Sequence, residues 1–285
     1  MRKLSSLQWI VIGTAIICIV LLRFVSTQST VENVPKIASQ EVVEGHSLDE
    51  QINFIRKGMK NEMLVLVNAF IGTINTNRDD VKRVQMYDSL IRFLGKSEEY
   101  VYAAFLSEQK AAKNNGSGSD WQQAGERYRS STGFQKDEGN IPALHEAAMR
   151  CFKKAIELEP KNLDAKVGFG ICIVQGTNDP MKGITMLLEV VSADSTNVNA
   201  HLALAEFSVR RNAPEKAIAR YVTALRLRPD YYGLHLNIAQ LYEQMGDTLN
   251  AISNLEKYVR IENDPLAKND VENAIRKLRA NLPSQ

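Results

Sequence analysis

Ala217-Ile218-Ala219-Arg220-Tyr221-Val222-Thr223-Ala224-Leu225-Arg226-Leu227-Arg228-Pro229 sets a small residue, an apolar one, a large ring, a second small residue, an apolar one and a helix stopper at fixed offsets. The offsets are filled again on both sides. Counting back 34 residues gives Gly183, Ile184, Leu187, Val190, Val191 and Ser195. Another 35 back gives Ala148, Met149, Phe152, Ala155, Ile156 and Pro160. Counting forward 34 gives Ala251, Ile252, Leu255, Tyr258, Val259 and Asn263. The chain therefore repeats itself in phase.

A second set of positions precedes each copy. Trp121, Ala124, Gly125 and Tyr128 fit a Trp-x2-Leu-Gly-x2-Tyr pattern with alanine in place of leucine. Later copies offer Phe169 and Gly170, Leu204 and Ala205, then Ile238, Ala239 and Tyr242. A period near 34 with these residue types is the tetratricopeptide signature, two antiparallel helices per repeat. Over about half its length, from Trp121 to Pro265, the chain resembles the tetratricopeptide repeat family. The resemblance implies an all-α fold, a right-handed α-solenoid of helix pairs, and a scaffold role without catalysis. Packing explains the residue types. Small residues at Gly125, Gly170, Ala205 and Ala239, and at Ala148, Gly183, Ala217 and Ala251, let two helices cross closely, and bulky residues fill between them. Each repeat exposes an apolar face that its neighbour covers, so the repeats stack.

The composition sets bounds on partners. Of 285 residues, 44% are hydrophobic and 24% charged, ordinary for a folded chain. Thirty-five basic against 33 acidic residues give a net charge of +2, which argues against electrostatic capture of nucleic acid. Three cysteines make no disulfide framework. Cys151 and Cys172 read as small buried hydrophobes on successive repeat helices, with a bridge between them left open.

Residues 1–25 read as a basic start and a membrane anchor. From Leu7 to Leu22 only Gln8 and Thr14 are polar, and extension to Val25 gives the roughly 20 residues of a bilayer span, with Arg23 at its end. A cleaved signal peptide is the competing reading. Arg23, Phe24 and Val25 stand where small residues would favour cleavage, so the anchor is preferred. Arg2 and Lys3 before the span then place the amino terminus in the cytoplasm and the rest outside, which in a bacterium means an inner-membrane protein with a periplasmic array. Residues 26–46 read as a linker. Residues 47–114 hold N-terminal helices: one opened by the capping box Ser47-Leu48-Asp49-Glu50 and reaching Ile74, one started by Asp79 and Asp80, and one capped by Ser97 and running to Lys113. The last two form a degenerate repeat. The array occupies 115–263, with repeats near 118–162, 163–197, 198–231 and 232–265, and a capping helix fills 264–285 behind Asp264-Pro265. One repeat departs from the pattern. Tyr128 and Ala148 stand 20 apart where Tyr242 and Ala251 stand 9 apart, so polar residues around Ser130 to Asn140 are inserted. Asn115-Gly116-Ser117 is a glycosylation sequon, meaningful only in a eukaryotic secretory chain. The layout of anchor, linker and array looks like membrane-anchored tetratricopeptide proteins of Bacteroidetes-type bacteria.

Catalytic patterns are missing. His145-Glu146-Ala147-Ala148-Met149 is one residue short of the zinc-protease motif, since Met149 replaces the second ligand. His201 and His235 are 34 apart, a spacing that the repeat phase itself explains. No phosphate loop, dinucleotide fingerprint, Gly-x-Ser-x-Gly or Cys-x-x-Cys is present, so neither an enzyme nor a cofactor or metal is expected.

The expected activity is binding of a protein or peptide. In tetratricopeptide arrays the first helix of each repeat lines a concave groove. Mapped by repeat phase, the groove rows are Gln122, Glu126 and Arg129, then Val167, Ile171 and Val174. Leu202, Glu206 and Val209 follow, then Leu236, Gln240 and Glu243. The second row is apolar, which suits an amphipathic helix or extended peptide. The opposing reading has Val167, Ile171 and Val174 covered by the inserted segment or by residues 47–75. Lysine and asparagine needed by the chaperone-binding subtype are replaced by Gln122 and Glu126. Alternatives are an accessory role in an envelope pathway such as cytochrome c maturation, and a homo-oligomeric module.

Overall fold

The computed structural model describes residues 60–135 and 138–282. The chain divides into residues 1–46 and 47–285. The first unit, with the expected anchor and linker, lies outside the described residues, as does the expected helix start at Ser47. Among the described residues the chain forms twelve α-helices and no strand. They are α1 Asn61–Thr76, α2 Asp80–Lys96, α3 Tyr100–Lys113, α4 Gly118–Ser131, α5 Ile141–Leu158 and α6 Leu163–Gly176. There follow α7 Pro180–Ala193, α8 Val198–Arg210, α9 Pro214–Leu227, α10 Leu234–Gln244, α11 Thr248–Ile261 and α12 Pro265–Ala280. None of the described helices is long and apolar enough to cross a membrane.

Local chemistry sets the ends. Asp79 accepts from the Lys82 amide at the start of α2, and Asn162 and Asn197 do the same for Ala165 and Ala200 at α6 and α8. Ser117 and Asp120 close a reciprocal capping box on α4. Each second helix stops alike. The amides of Glu159, Asp194, Arg228 and Glu262 bond to the carbonyls of Ala155, Val190, Ala224 and Tyr258. Pro160, Ser195, Pro229 and Asn263 follow one residue later. Ser97 is a correction. It ends α2, its amide bonding Phe93 and Leu94, and α3 begins only at Tyr100 after Glu98 takes a left-handed φ of 62°. The Ser97 backbone amide closes the end of α2, and the position before α3 falls to Glu99 instead. Gly246, at φ 76°, closes α10 where Asn212, at φ 52°, closes α8 one repeat earlier.

Packing follows the repeat. Helix pairs α4–α5, α6–α7, α8–α9 and α10–α11 pack along their lengths, and α4, α6 and α8 also touch in succession. Ala148, Phe152 and Ala155 are buried on α5, as are Gly183, Ile184, Leu187 and Val190 on α7. On α9 the buried set is Ala217, Ile218, Tyr221 and Ala224, and on α11 Ala251, Ile252, Leu255 and Tyr258. Two notches show why glycine stands where it does. A Cβ on Gly125 would come within 2.9 Å of the Phe152 ring, and one on Gly183 would collide with the Gly170 carbonyl. Ile275 on α12 is buried against Leu255 and Ile252, with Val271, Leu278 and Leu282 beside it. This helix closes the last apolar face.

The insertion is taken up in two ways. Helix α5 has 18 residues where α7, α9 and α11 have 14. Two short 3-10 turns, Thr132–Phe134 and Glu138–Asn140, join it to α4. The Phe134 ring stacks on Tyr100 at 4.2 Å, which holds the first turn against α3.

Candidate functional site

The first helices of three consecutive repeats, α4, α6 and α8, line an open cavity of about 350 Å3. Its lining includes Gln122, Glu126 and Arg129 from α4, Asp164, Val167 and Ile171 from α6, and Asn199, Leu202, Ala203 and Glu206 from α8. Seven of the twelve residues selected from the repeat phase thus lie together. Val174, Val209, Leu236, Gln240 and Glu243 do not line it. Val174 is half-buried against the α7 core, and Leu236 packs toward α12, while Val209, Gln240 and Glu243 are exposed. Asp164, Asn199 and Ala203 were missed. Asp164 and Asn199 are 35 apart and share one slot, so the repeat phase held the signal.

The lining is more polar than the sequence suggested. Val167 is only 3% exposed, covered by Leu187 and Val190 of α7 and by Ala203 and Leu204 of α8. Its cover is the repeat interface itself. The described part of the insertion rests on Tyr100, and α1 packs into a different cluster, with Tyr87 and Leu106. Val167 therefore acts as floor, Ile171 and Leu202 offer partial apolar surface, and carboxylates and amides form the walls. Of the two readings of this row, groove or covered, Val167 combines both: it borders the cavity, and the neighbouring helices, not the inserted segment, bury it.

Electrostatically the walls are uneven. Arg129 is held by Glu126, its Nε at 2.9 Å and Nη2 at 2.7 Å from Oε2. Gln122 accepts from the Asn162 amide at 2.9 Å. Asp164 accepts only a long bond from Asn199, at 3.4 Å. Glu206 has no hydrogen bond or ion pair among the described residues.

A buried polar group that sequence reasoning did not find lies between α3, α4 and α5. The Glu108 carboxylate accepts from the Tyr128 hydroxyl at 2.8 Å and from Arg150 Nε at 3.0 Å and Nη2 at 3.2 Å. Burial, then the Glu108 charge, pushes the Tyr128 phenol well above its ordinary value. Its members are 20 and 42 residues apart, so no local pattern announces it.

The residues weighed for metal or redox chemistry have structural surroundings. His201 Nε2 donates to the Ser195 carbonyl at 3.0 Å, and Arg220 donates to its Nδ1 at 3.2 Å. His235 Nδ1 pairs with Asn254 Oδ1 at 3.1 Å. Both partners lie 19 residues on, so the two contacts are one repeat-phased tie between first and second helix. His145 is buried, and its Nε2 has no partner. Cys151 and Cys172 are free and buried, and burial pushes the Cys172 thiol up to about 12. Among the described residues no group of three or more His, Cys, Asp or Glu is arranged to hold a metal ion.

Sequence comparison agrees with the helix pairs. A family model described as TPR repeat matches residues 209–246, and one described as tetratricopeptide repeat matches residues 144–162 and 232–265. The chain carries tetratricopeptide repeats within residues 144–162 and 209–265. Among solved structures, a tetratricopeptide repeat protein from Parabacteroides merdae ATCC 43184 is similar at TM-score 0.52 and 13% identity, over 82% of this chain and 85% of that one. A thermophilic TPR protein of Thermus thermophilus is similar at TM-score 0.50 and 16% identity, over 69% of this chain and 99% of that one. Both likenesses are of fold. Among curated proteins none matches the sequence.

Proposed function

We propose that this chain is a membrane-anchored scaffold that holds an extended segment of a partner protein in the cavity between α4, α6 and α8, without catalysis. The cavity carries the reading. It is lined by the same helix of three successive repeats, with a part-exposed apolar strip at Ile171 and Leu202 and side-chain amides at Gln122 and Asn199. Amides pair with a peptide backbone, and the apolar strip receives a side chain. A photo-reactive residue at Leu202, in the full chain in its native host, tests it against one at Val222, exposed on α9 outside the cavity. Crosslinking of a partner from Leu202 and not from Val222 is the expected result. Crosslinking from Val222 alone, or from neither, overturns the groove.

The anchor and the periplasmic side belong to the same proposal and rest on the Leu7–Val25 run and on Arg2 and Lys3 ahead of it. The full chain is expected to stay with membranes through alkaline extraction. A chain starting at Ser47 is expected in the soluble fraction. Release of the full chain by alkali removes the anchor. Digestion of the array by protease in intact spheroplasts is expected for a periplasmic domain, and protection would place it on the other side.

A further inference from the structure

We infer that the segment held in the cavity is cationic, carrying lysine or arginine side chains toward its α6–α8 end. This rests on the groove reading above and gives the partner a chemistry. Three carboxylates line the cavity, on Glu126, Asp164 and Glu206, against the guanidinium of Arg129. The surplus is negative, and its distribution matters more than its sum. Arg129 is already held by both of its bonds to Glu126, so the α4 end is neutralised and has no cation to offer an acidic ligand. At the other end Glu206 has no partner among the described residues, and Asp164 has only the long Asn199 contact.

These two carboxylates sit on adjacent helices around the buried Val167 and the half-buried Ile171. An arriving ammonium or guanidinium group meets acceptors there, and its alkyl stem has apolar surface to lie on. A carboxylate ligand would meet like charge, which costs affinity and excludes wrong partners. The exposed Glu243 on α10, the next first helix, adds a further carboxylate beyond the cavity. Adjacent helix axes stand about 8–10 Å apart, so the α4-to-α8 span is about 16–20 Å. An extended segment covers it in about five to six residues. The recognised unit is a short extended stretch, neutral where it meets Arg129 and cationic where it meets Asp164 and Glu206.

The test is selection from a displayed library of random peptides of about a dozen residues on the full detergent-solubilised chain. Selected peptides are measured on wild type, on the Asp164→Asn/Glu206→Gln variant and on Ile171→Glu. Circular dichroism melting confirms that each variant is folded. Both charge substitutions are isosteric at exposed positions, so the fold is expected to hold. The expected result is enrichment of peptides with two or more lysines or arginines, bound on the order of tenfold more weakly by the charge-neutral variant and by wild type at high salt. Enriched peptides that are neutral or acidic, or that bind the charge-neutral variant as well as wild type, overturn the cationic partner. If those peptides still lose binding to Ile171→Glu, the groove itself stands. Peptides indifferent to all three substitutions, or no enrichment, overturn the groove reading and the inference with it.

Discussion

His145 shows what a single residue reveals when its partners are counted. It is 5% exposed, its Nε2 bonds to nothing, and it packs where a side chain on Gly176 would strike it. Burial, then the nearby Arg129 charge, holds its pKa below the ordinary histidine value. The unfolded chain therefore takes up a proton at higher pH than the native one. Stability is fully present above the unfolded histidine pKa, about 6.5, and is lost as pH falls from there through the depressed native value. His145→Leu removes both the orphaned nitrogen and the protonation. Urea unfolding from pH 7 to pH 5 is expected to show a flatter acid decline for the variant, with no loss at pH 7. An unchanged slope would mean that the native imidazole titrates normally. The Tyr128 hydroxyl is the opposite case, since its bond to Glu108 is made and buried. Tyr128→Phe removes one hydrogen bond to that carboxylate and is expected to cost about 1 kcal/mol by urea unfolding.

At the scale of the element, the close helix crossings are where small residues matter. Gly183 in α7 meets the Gly170 carbonyl of α6, backbone against backbone, and that carbonyl cannot swing aside as a side chain would. Helix propensity alone would make Gly183→Ala stabilising by up to about 1 kcal/mol. Overpacking of about 1–3 kcal/mol is expected to win, so the melting temperature should fall. Gly72 in α1 has open space around its missing Cβ, so Gly72→Ala should show the propensity gain unopposed. Ala217→Leu, at a fully buried crossing in α9, is expected to cost about 1–3 kcal/mol, and a wild-type melting curve would put the repeat out of phase. These crossings were legible because the 34-residue period writes the same demand several times, as at Ala148, Gly183, Ala217 and Ala251. Gln122, Glu126 and Glu206 could be gathered into one groove for the same reason. The degree to which Val167 is covered was not legible, because the period fixes which helix a residue is on and says little about how closely the next helix approaches. The Glu108–Tyr128–Arg150 group was not legible at all. It joins three helices once, with no second copy to betray it.

For the array as a whole, the distribution of core decides how it comes apart. A single large cluster joins α1 through α6, with Tyr87, Leu94, Leu106, Tyr128 and Phe152 fully buried in it. Three smaller clusters then follow, one around α6 to α8, one around α8 to α10, and one from α10 to α12. The Glu108 carboxylate adds a charged tie among three helices of the large cluster, where the smaller ones have the His201–Arg220 and His235–Asn254 contacts between two helices each. In a repeat array each helix pair is stabilised by itself and its neighbours, so unequal neighbours give unequal local stability. Global two-state unfolding is then the wrong expectation, because the C-terminal pairs can open while the N-terminal cluster holds. Native-state hydrogen exchange should show slowest exchange in α4 and α5 and progressively faster exchange through α9, α11 and α12. Truncation after Asn263 removes α12 and uncovers Ile252 and Leu255, which form a cluster with Ile275. That variant is expected to lose protection in α10 and α11 with little change in α4 and α5. Uniform loss across all helices would show instead that the array unfolds as one cooperative unit, with the large cluster and the terminal repeats coupled more strongly than their contacts imply.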